Sequence, residues 1–154
     1  MQSDHKAFMQ AAIAEADQGI AAQDGGPFGA VVVKDGEIVG RGHNCVLGKN
    51  DPTAHGEVMA LRDAAKNLGT HDLSDCVLYT TAAPCPMCKG AILWANIREV
   101  YYGCTVEDTA EIGFRDEDFY RGWNSAGMNF GKMVERSQCK ELFERYRKAE
   151  HTLY

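Results

Sequence analysis

The sequence of 154 residues predicts a layered α/β domain built on a mixed β-sheet. Two apolar segments flank Asp35-Gly36, a dipeptide typical of tight β-hairpins. Apolar residues recur at helical spacing in the segments 4–22 and 54–68. The strand and helix candidates between Phe28 and Tyr102 follow the order β-β-α-β-α-β, which favours helices that cover a central sheet.

The N-terminal half is predicted to contain a helix, a hairpin and a second helix. The first helix, over residues 4–22, is expected to end before Gly25-Gly26-Pro27, which interrupts regular structure. The hairpin strands are expected over Phe28 to Lys34 and from Ile38 toward Asn44. The second helix, over residues 54–68, has one apolar stripe that is expected to face the sheet.

The C-terminal half is predicted to add two short strands and two helices. The strands are expected over residues 76–81 and 100–102, where apolar residues form short runs. A helix over residues 86–95 is expected to begin directly after Cys85 and to contain Cys88 in its first turn, and a charged helix is expected over residues 137–149. Residues 104–132 mix polar loops with short helical pieces.

The composition is that of a globular protein with an acidic charge balance. Hydrophobic residues make up 45%, charged residues make up 25%, and the formal net charge is −6 at pH 7. Because the sequence has no internal repeat, low-complexity segment or linker, residues 1–154 are expected to form one domain. Nucleic-acid-binding proteins draw much of their affinity from a basic stripe, and no run of Lys or Arg occurs here. Nucleic acid is therefore not expected as a partner.

The cysteines and the N-terminus together indicate a reducing, cytoplasmic compartment. The first residues lack an apolar signal region, and no window of about 18 apolar residues predicts a membrane-spanning helix. Among six cysteines, Cys85 and Cys88 form a closely spaced pair. In a reducing compartment such a pair is more typical of a metal or catalytic site than of a disulfide.

The most informative motifs are His55-Gly56-Glu57 and Pro84-Cys85-Pro86-Met87-Cys88. Cysteines three positions apart at a helix start lie on one side of its first turn, where free N–H groups favour thiolates. His55 supplies a third ligand for Zn²⁺ and leaves a fourth position for water, the arrangement of catalytic zinc sites. Within a helix, side chains two positions apart, such as those of His55 and Glu57, are separated by about 200° around the axis. Glu57 can therefore reach that water only if the N-termini of both helices point at one metal. Glu57 is then the expected general base.

Two other kinds of site also use closely spaced cysteines. A thioredoxin-like redox pair normally lies in an early βαβ unit after an aromatic residue, whereas Pro84 precedes this pair. A structural zinc ribbon needs a second pair of cysteines or of cysteine and histidine, and the sequence contains none. The catalytic zinc site is therefore the favoured hypothesis.

The pattern H-x-E followed by P-C-x-x-C is the signature of zinc-dependent deaminases. Together with Gly26-Pro27-Phe28-Gly29-Ala30, Gly42-His43-Asn44 and Asp51-Pro52-Thr53-Ala54-His55, it resembles the cytidine-deaminase-like superfamily, and within it the bacterial guanine deaminases. The resemblance covers nearly the whole chain. It implies a three-layer α/β/α fold with a five-stranded mixed sheet, one Zn²⁺ per chain, and hydrolytic deamination of a free nucleobase such as guanine.

The resemblance also implies roles for individual residues. His55, Cys85 and Cys88 match the zinc ligands, and Glu57 matches the proton shuttle. The positions that match substrate-binding residues are Phe28, Asn44, Ala54, Asp116 and Tyr154.

The resemblance to guanine deaminases implies a specific role for four of these positions. Phe28 is expected to line the base pocket, and Asn44 is expected to hydrogen-bond the base. Asp116 is expected to read the purine edge, and Tyr154 to close the pocket. In this group the C-terminal segment, here about residues 130–154, is exchanged between subunits, so the resemblance implies a domain-swapped homodimer.

The chain departs from the family pattern at two positions. Gly56 stands where alanine is usual, which costs roughly 1 kcal/mol of helix propensity. Ala83 stands where glutamate is usual and carries no hydrogen-bonding side chain. Guanine is the expected substrate, and isocytosine or cytosine is the main alternative. Two further alternatives are a tRNA adenosine deaminase, which the acidic charge balance opposes, and a non-enzymatic zinc module.

Overall fold

The strands of the sheet lie where the sequence predicts them. They are β1 (Gly29–Lys34), β2 (Glu37–His43), β3 (Val77–Ala82) and β4 (Val100–Cys104). In this computed structural model, which describes residues 2–122 and 132–154, the strands lie in the order β2-β1-β3-β4. Strand β1 pairs antiparallel with β2 and β3, and β3 pairs parallel with β4. The predicted mixed sheet is therefore confirmed.

Seven helices accompany the sheet in the described ranges. They are α1 (Gln2–Ala21), α2 (Val46–Lys49), α3 (Gly56–Leu68), α4 (Pro86–Trp94), α5 (Val106–Glu111), α6 (Asp116–Arg121) and α7 (Arg136–Lys148). Helices α1, α3, α4 and α7 correspond to the four predicted helices. Helices α5 and α6 are the short helical pieces expected between β4 and the C-terminal helix.

Different helices cover the two faces of the sheet, which confirms the three-layer α/β/α arrangement. Successive residues of a strand point to opposite faces. Ala30 and Val32 pack with buried residues of α3 and α4, whereas Val31 and Val33 pack with Tyr79 and side chains of α1. Burial of apolar surface on both faces is the main stabilising contribution to this fold.

The family resemblance implies five strands, and this expectation is corrected to four for the part of the chain that the structure describes. After β4 the chain enters α5 and α6 instead of adding a strand to the sheet. A capping box starts α5: the Thr105 side chain accepts a hydrogen bond from Asp108 N–H, and the Asp108 carboxylate accepts one from Thr105 N–H. This local interaction turns the chain into a helix directly after the strand ends.

Two glycines of β2 set the distance between the sheet and α3. A Cβ atom on Gly40 would lie 2.6 Å from the Ala60 carbonyl oxygen, and one on Gly42 would lie 2.4 Å from the Ala60 backbone nitrogen. No larger residue fits at either position unless the helix backbone moves. The glycines therefore fix the position of α3 and of its first turn.

The C-terminal segment, defined here as residues 132–154, is exposed along its whole length. Within it, α7 carries Leu142, Phe143 and Tyr146, which are 53%, 70% and 52% exposed. The segment predicted to be exchanged between subunits starts at about residue 130, and residues 130 and 131 lie outside the described residues. None of the helices in the described ranges has both the length and the apolar character needed to cross a membrane.

Candidate metal centre and adjoining pocket

Two helices begin at the same point of the fold. His55 is the N-cap residue of α3 and Cys85 is the N-cap residue of α4. Pro86 is the first residue of α4. A backbone N–H at this position makes no hydrogen bond within the helix, so its absence in proline costs none. The Cys85 Sγ atom accepts a hydrogen bond from the Cys88 N–H at 3.5 Å. The predicted convergence of two helix N-termini is therefore confirmed.

The distances among the three candidate ligands fit a zinc ion. His55 Nδ1 lies 3.6 Å from Cys85 Sγ and 3.4 Å from Cys88 Sγ. A tetrahedral zinc ion, with Zn–S of about 2.3 Å and Zn–N of about 2.0 Å, holds nitrogen and sulfur ligands about 3.5 Å apart. All three ligand atoms lie within 4.8 Å of one another. The donor set and its spacing match a site with three protein ligands.

The three candidate ligands shift one another's pKa values because their side chains are in contact. Hydrogen bonding from Cys88 lowers the pKa of Cys85 to about 4, although burial opposes this effect. The same contact and burial raise the pKa of the Cys88 thiol well above its usual range, and hydrogen bonding to Cys85 raises the pKa of His55. The two sulfur atoms therefore compete for one proton, and Cys85 is the more acidic of the two. A divalent cation between them stabilises both thiolates together.

Glu57 is buried beside the candidate ligands. It is the second residue of α3 and lies in the wall of the adjoining pocket, with 6% of its surface exposed. Burial raises the pKa of its carboxyl to about 7, and negative charge on Cys85 adds to this effect. A carboxyl with this pKa both accepts and releases protons at neutral pH, as general acid–base catalysis requires.

A pocket with a volume of about 350 Å³ opens beside these residues. Six residues that the sequence predicts for the site line it: Phe28, Asn44, His55, Glu57, Cys85 and Asp116. The size suits a small aromatic molecule, and the apolar part of the lining includes an aromatic ring against which a planar ligand can stack.

Asn44 and Asp116 bring polar groups to this pocket from different elements. Asn44 follows β2 and is 5% exposed, and its Oδ1 atom accepts a hydrogen bond from Val46 N–H at 3.0 Å. That bond leaves the Nδ2 group as the part of the carboxamide that can donate to a ligand. Asp116 starts α6 and is half-buried, and burial raises the pKa of its carboxyl, with a further contribution from the charge on Cys85.

Two predicted substrate-binding residues do not line the pocket of their own chain. Ala54 is fully buried, and its backbone is already hydrogen-bonded: its N–H donates to Asp51 and its carbonyl accepts from Cys45 N–H. Tyr154 is 76% exposed, and its ring contacts His71 and Trp94. Substrate binding by Ala54 therefore stays a prediction, and a role for Tyr154 requires the pocket of another chain.

Sequence reasoning missed other parts of the pocket wall. The Phe114 ring meets the Phe28 ring edge to face, with centroids 4.9 Å apart. The sequence predicts an interruption of regular structure at Gly26, and in the fold a Cβ atom there would lie 2.7 Å from the Phe114 ring and 2.8 Å from the Phe28 ring. Phe114 lies two positions before Asp116, a predicted substrate-binding residue, and this proximity is the signal that could have identified it.

Of the two departures from the family pattern, Ala83 lines this pocket and Gly56 contacts the backbone of Phe28, which lines it. A Cβ atom on Gly56 would lie 3.1 Å from the Phe28 carbonyl oxygen, which is a tight contact between α3 and the start of β1. Ala83 lines the pocket, and its N–H donates to the Cys104 carbonyl at 2.8 Å. Ala83 therefore offers only a methyl group and its carbonyl to a ligand.

Comparison with known proteins identifies relatives of this chain. Residues 2–104 match the family described as the cytidine and deoxycytidylate deaminase zinc-binding region. The chain is 51% identical over 117 residues to a guanine deaminase from Bacillus subtilis (strain 168), and the match covers 76% of this chain and 75% of that protein. The X-ray structure of guanine deaminase from Bacillus subtilis matches with a TM-score of 0.88 and 41% identity, and covers 97% of this chain and 98% of that one. A tRNA-specific adenosine deaminase from Streptococcus pyogenes serotype M1 is 44% identical over 143 residues, which cover 90% of this chain and 81% of that protein.

Proposed function

Since the chain belongs to the cytidine and deoxycytidylate deaminase zinc-binding family, a family of zinc-dependent hydrolytic deaminases, we propose that it converts guanine and water to xanthine and ammonia. One observation carries this choice of substrate. Asp116 lines the same pocket as Glu57, in a chain that is 51% identical to a guanine deaminase. A carboxylate there accepts hydrogen bonds from the N–H groups of a purine.

We propose His55 Nδ1, Cys85 Sγ and Cys88 Sγ as the ligands of the single zinc ion. Their spacing of 3.4–3.6 Å between nitrogen and sulfur supports this assignment. When bound, zinc supplies a Lewis acid that lowers the pKa of its water to about 7. The three side chains would hold the ion beside the pocket, since His55 and Cys85 both line it.

The base is held by groups on three sides of the pocket. The Phe28 ring provides a face for stacking, and Phe114 supports that ring from its edge. Asn44 donates from its Nδ2 group, and Asp116 accepts from the base. These contacts fix the plane and the edge of the purine, so that the carbon bearing the amine faces Glu57 and the zinc ligands.

Glu57 moves the protons of the reaction. Its carboxylate takes a proton from the attacking water as the oxygen bonds to the carbon that carries the exocyclic amine. Glu57 returns that proton to the base and then assists transfer to the amine, so the C–N bond breaks and ammonia leaves. The second proton of the water passes from the new hydroxyl group to the leaving amine, so one water proton ends on xanthine and the other on ammonia. The pKa of about 7 suits both directions of transfer.

A second candidate substrate is a smaller aminated base such as isocytosine or cytosine. Ala83 favours this alternative, because it adds no polar side chain where the resembled family usually has glutamate. A tRNA substrate is suggested by the similarity to tRNA-specific adenosine deaminases. The net charge of −6 opposes binding of a polyanion such as tRNA, so tRNA ranks as a substrate after guanine and after the smaller bases.

A substrate panel tests the proposal. Ammonia release is measured with guanine, isocytosine, cytosine, adenine, cytidine and tRNA, on protein whose zinc content has been determined. We expect one zinc per chain and the highest kcat/KM with guanine. Zinc at one per chain without turnover of any compound would refute the enzymatic function, and a preference for a pyrimidine would select the second candidate.

We also propose a homodimer in which the C-terminal segments are exchanged. The apolar residues of α7 are exposed, and Leu93 and Trp94 of α4 are 72% and 67% exposed. Exchange covers such surfaces and carries Tyr154 to the pocket of the second copy. Light scattering is expected to give the mass of two chains, and removal of residues 132–154 is expected to give a monomer with a raised KM. A monomeric full-length chain would rule out the exchange.

The cytoplasm is the compartment we propose for this protein. All six cysteines are free, and Cys85 and Cys88 must stay reduced to act as ligands. Fractionation of the producing cells with an antibody to the chain tests this assignment.

A further inference from the structure

His43 lies between two carboxylates at the end of β2, directly before Asn44. Its Nε2–H donates to Asp24 Oδ2 at 2.8 Å, since a carboxylate only accepts, and its Nδ1 atom is 3.5 Å from Glu15 Oε2. The side chains of His43 and Glu15 are 20% and 12% exposed. Both contacts are therefore shielded from water, where such interactions are stronger than at a surface.

The Asp24 contact connects His43 to the pocket wall. The Asp24 carbonyl accepts hydrogen bonds from the N–H groups of Leu47 and Gly48, each at 2.9 Å. Leu47 and Gly25, which follows Asp24 in the chain, both line the pocket. A movement of Asp24 therefore moves two parts of the wall together.

This wall lies directly against the Asn44 side chain. A Cβ atom on Gly25 would lie 2.0 Å from Asn44 Oδ1, so the Gly25 backbone rests on the carboxamide. Val46 N–H holds the same oxygen from the other side at 3.0 Å. The direction in which the Asn44 amide points into the pocket therefore depends on where Asp24 holds Gly25.

A metal site is the alternative explanation of this cluster. Asp24, His43 and Cys45 place an oxygen, a nitrogen and a sulfur within 4.8 Å of one another. These groups already have partners, because His43 donates to Asp24 and the Cys45 thiol donates to the His43 carbonyl at 3.3 Å. Burial also raises the pKa of Cys45, which opposes the thiolate that a metal requires. The contacts therefore favour a hydrogen-bonded brace.

We propose that His43 is a positioning residue for substrate binding. Through Asp24 it holds the wall at Gly25 against Asn44 and so fixes the amide that binds the base. This proposal rests on the proposed function, since it concerns the same pocket. His43 itself does not reach the base, so its removal affects the affinity for substrate more than the chemical step.

Two variants of similar size separate the contacts of His43. In His43→Gln the side-chain amide nitrogen replaces Nε2 and can still donate to Asp24, whereas in His43→Asn it replaces only Nδ1, which faces Glu15. We expect His43→Asn to raise KM for guanine about tenfold, the effect of losing one hydrogen bond to a charged group, with little change in kcat. We expect His43→Gln to keep KM within about threefold of wild type.

His5→Gln is the matched control, because its amide nitrogen replaces Nε2 and the contact that His5 Nδ1 makes is lost. His5 is also a partly buried histidine with one hydrogen bond, to Tyr79 Oη, but it lies near the start of α1 and away from the pocket. We expect this variant to lower the melting temperature without changing KM. Equal increases of KM in His43→Asn and His43→Gln, or an effect on kcat alone, would overturn the proposal. A zinc content of two per chain that falls to one in both His43 variants would overturn it in favour of the metal site.

A second measurement does not depend on turnover. The N–H groups of Leu47 and Gly48 donate to Asp24, so their amide hydrogen exchange should be about tenfold faster in His43→Asn and unchanged in His43→Gln. Unchanged exchange in His43→Asn contradicts the brace whatever the substrate is. If the wild-type protein turns over no compound of the substrate panel but the variants show the expected exchange pattern, the proposed function is refuted. The structural role of His43 in holding Asp24 is then still supported.

Discussion

Replacement of Glu57 by Gln is the sharpest test of the proposed chemistry. The substitution keeps the size of a side chain that is 6% exposed, so it removes the proton transfer with little effect on packing. At pH 7 a carboxyl with a pKa of about 7 is half ionised, and the amide that replaces it neither takes nor returns a proton. One general acid–base contributes about 10²–10⁴-fold to a rate. Because Glu57 is proposed to serve in more than one transfer, we expect kcat to fall by about 10⁴-fold.

The assay is ammonia release from guanine under saturating conditions, with zinc measured in the same preparation. Zinc is expected to stay at one per chain, because Glu57 is not among the three ligands proposed from the distances. The control is Glu37→Gln, an exposed glutamate at the start of β2, which should leave kcat unchanged. A Glu57→Gln protein that retains both zinc and more than a tenth of the wild-type kcat would show that another group moves the protons.

Three further substitutions test the ligands, the base contacts and the fold. Cys88→Ser should lower zinc content well below one per chain, measured by mass spectrometry of the metal, because a hydroxyl is a poorer zinc ligand than a thiolate. Asp116→Asn should raise KM for guanine about tenfold and leave cytosine turnover unchanged, since it replaces one of the two carboxylate oxygens that accept from the purine edge by an N–H donor. An equal effect on both bases would make Asp116 structural. Gly42→Ala should lower the free energy of unfolding by about 1–3 kcal/mol in urea, because its Cβ would lie 2.4 Å from the Ala60 nitrogen. Unchanged stability there would mean that α3 moves freely relative to β2.

The metal centre was predictable because its determinants are local. The position of Cys85 and Cys88 relative to each other follows from one helical turn, and the proline between them marks where the helix begins. His55 is 30 residues away in sequence, but the same reasoning about a helix N-terminus applied to it. Two independent local patterns therefore specified one site, and the distances between their atoms agree with a shared zinc ion.

The pocket wall was less predictable because it depends on how loops meet in three dimensions. The sequence predicts an interruption of regular structure at Gly26, and nothing in the local sequence indicates that Phe114, 88 positions later, lies against it. The backbone of Ala54, a predicted substrate-binding residue, is used by the turn that presents His55. The number of strands also depended on packing, since a capping box at Thr105 directs the chain into a helix after β4.

We expect the two departures from the family pattern to affect the choice of base more than the zinc chemistry. Gly56 lies between His55 and Glu57, and its missing Cβ allows the Phe28 carbonyl to approach α3 closely. Glycine at this position therefore influences where the stacking face of Phe28 lies relative to Glu57. Ala83 precedes the cysteine pair, but its N–H is held by Cys104, so the backbone there does not depend on the side chain. Both residues shape the wall of the pocket, and substrate selectivity is accordingly the property in which this chain should differ most from its relatives.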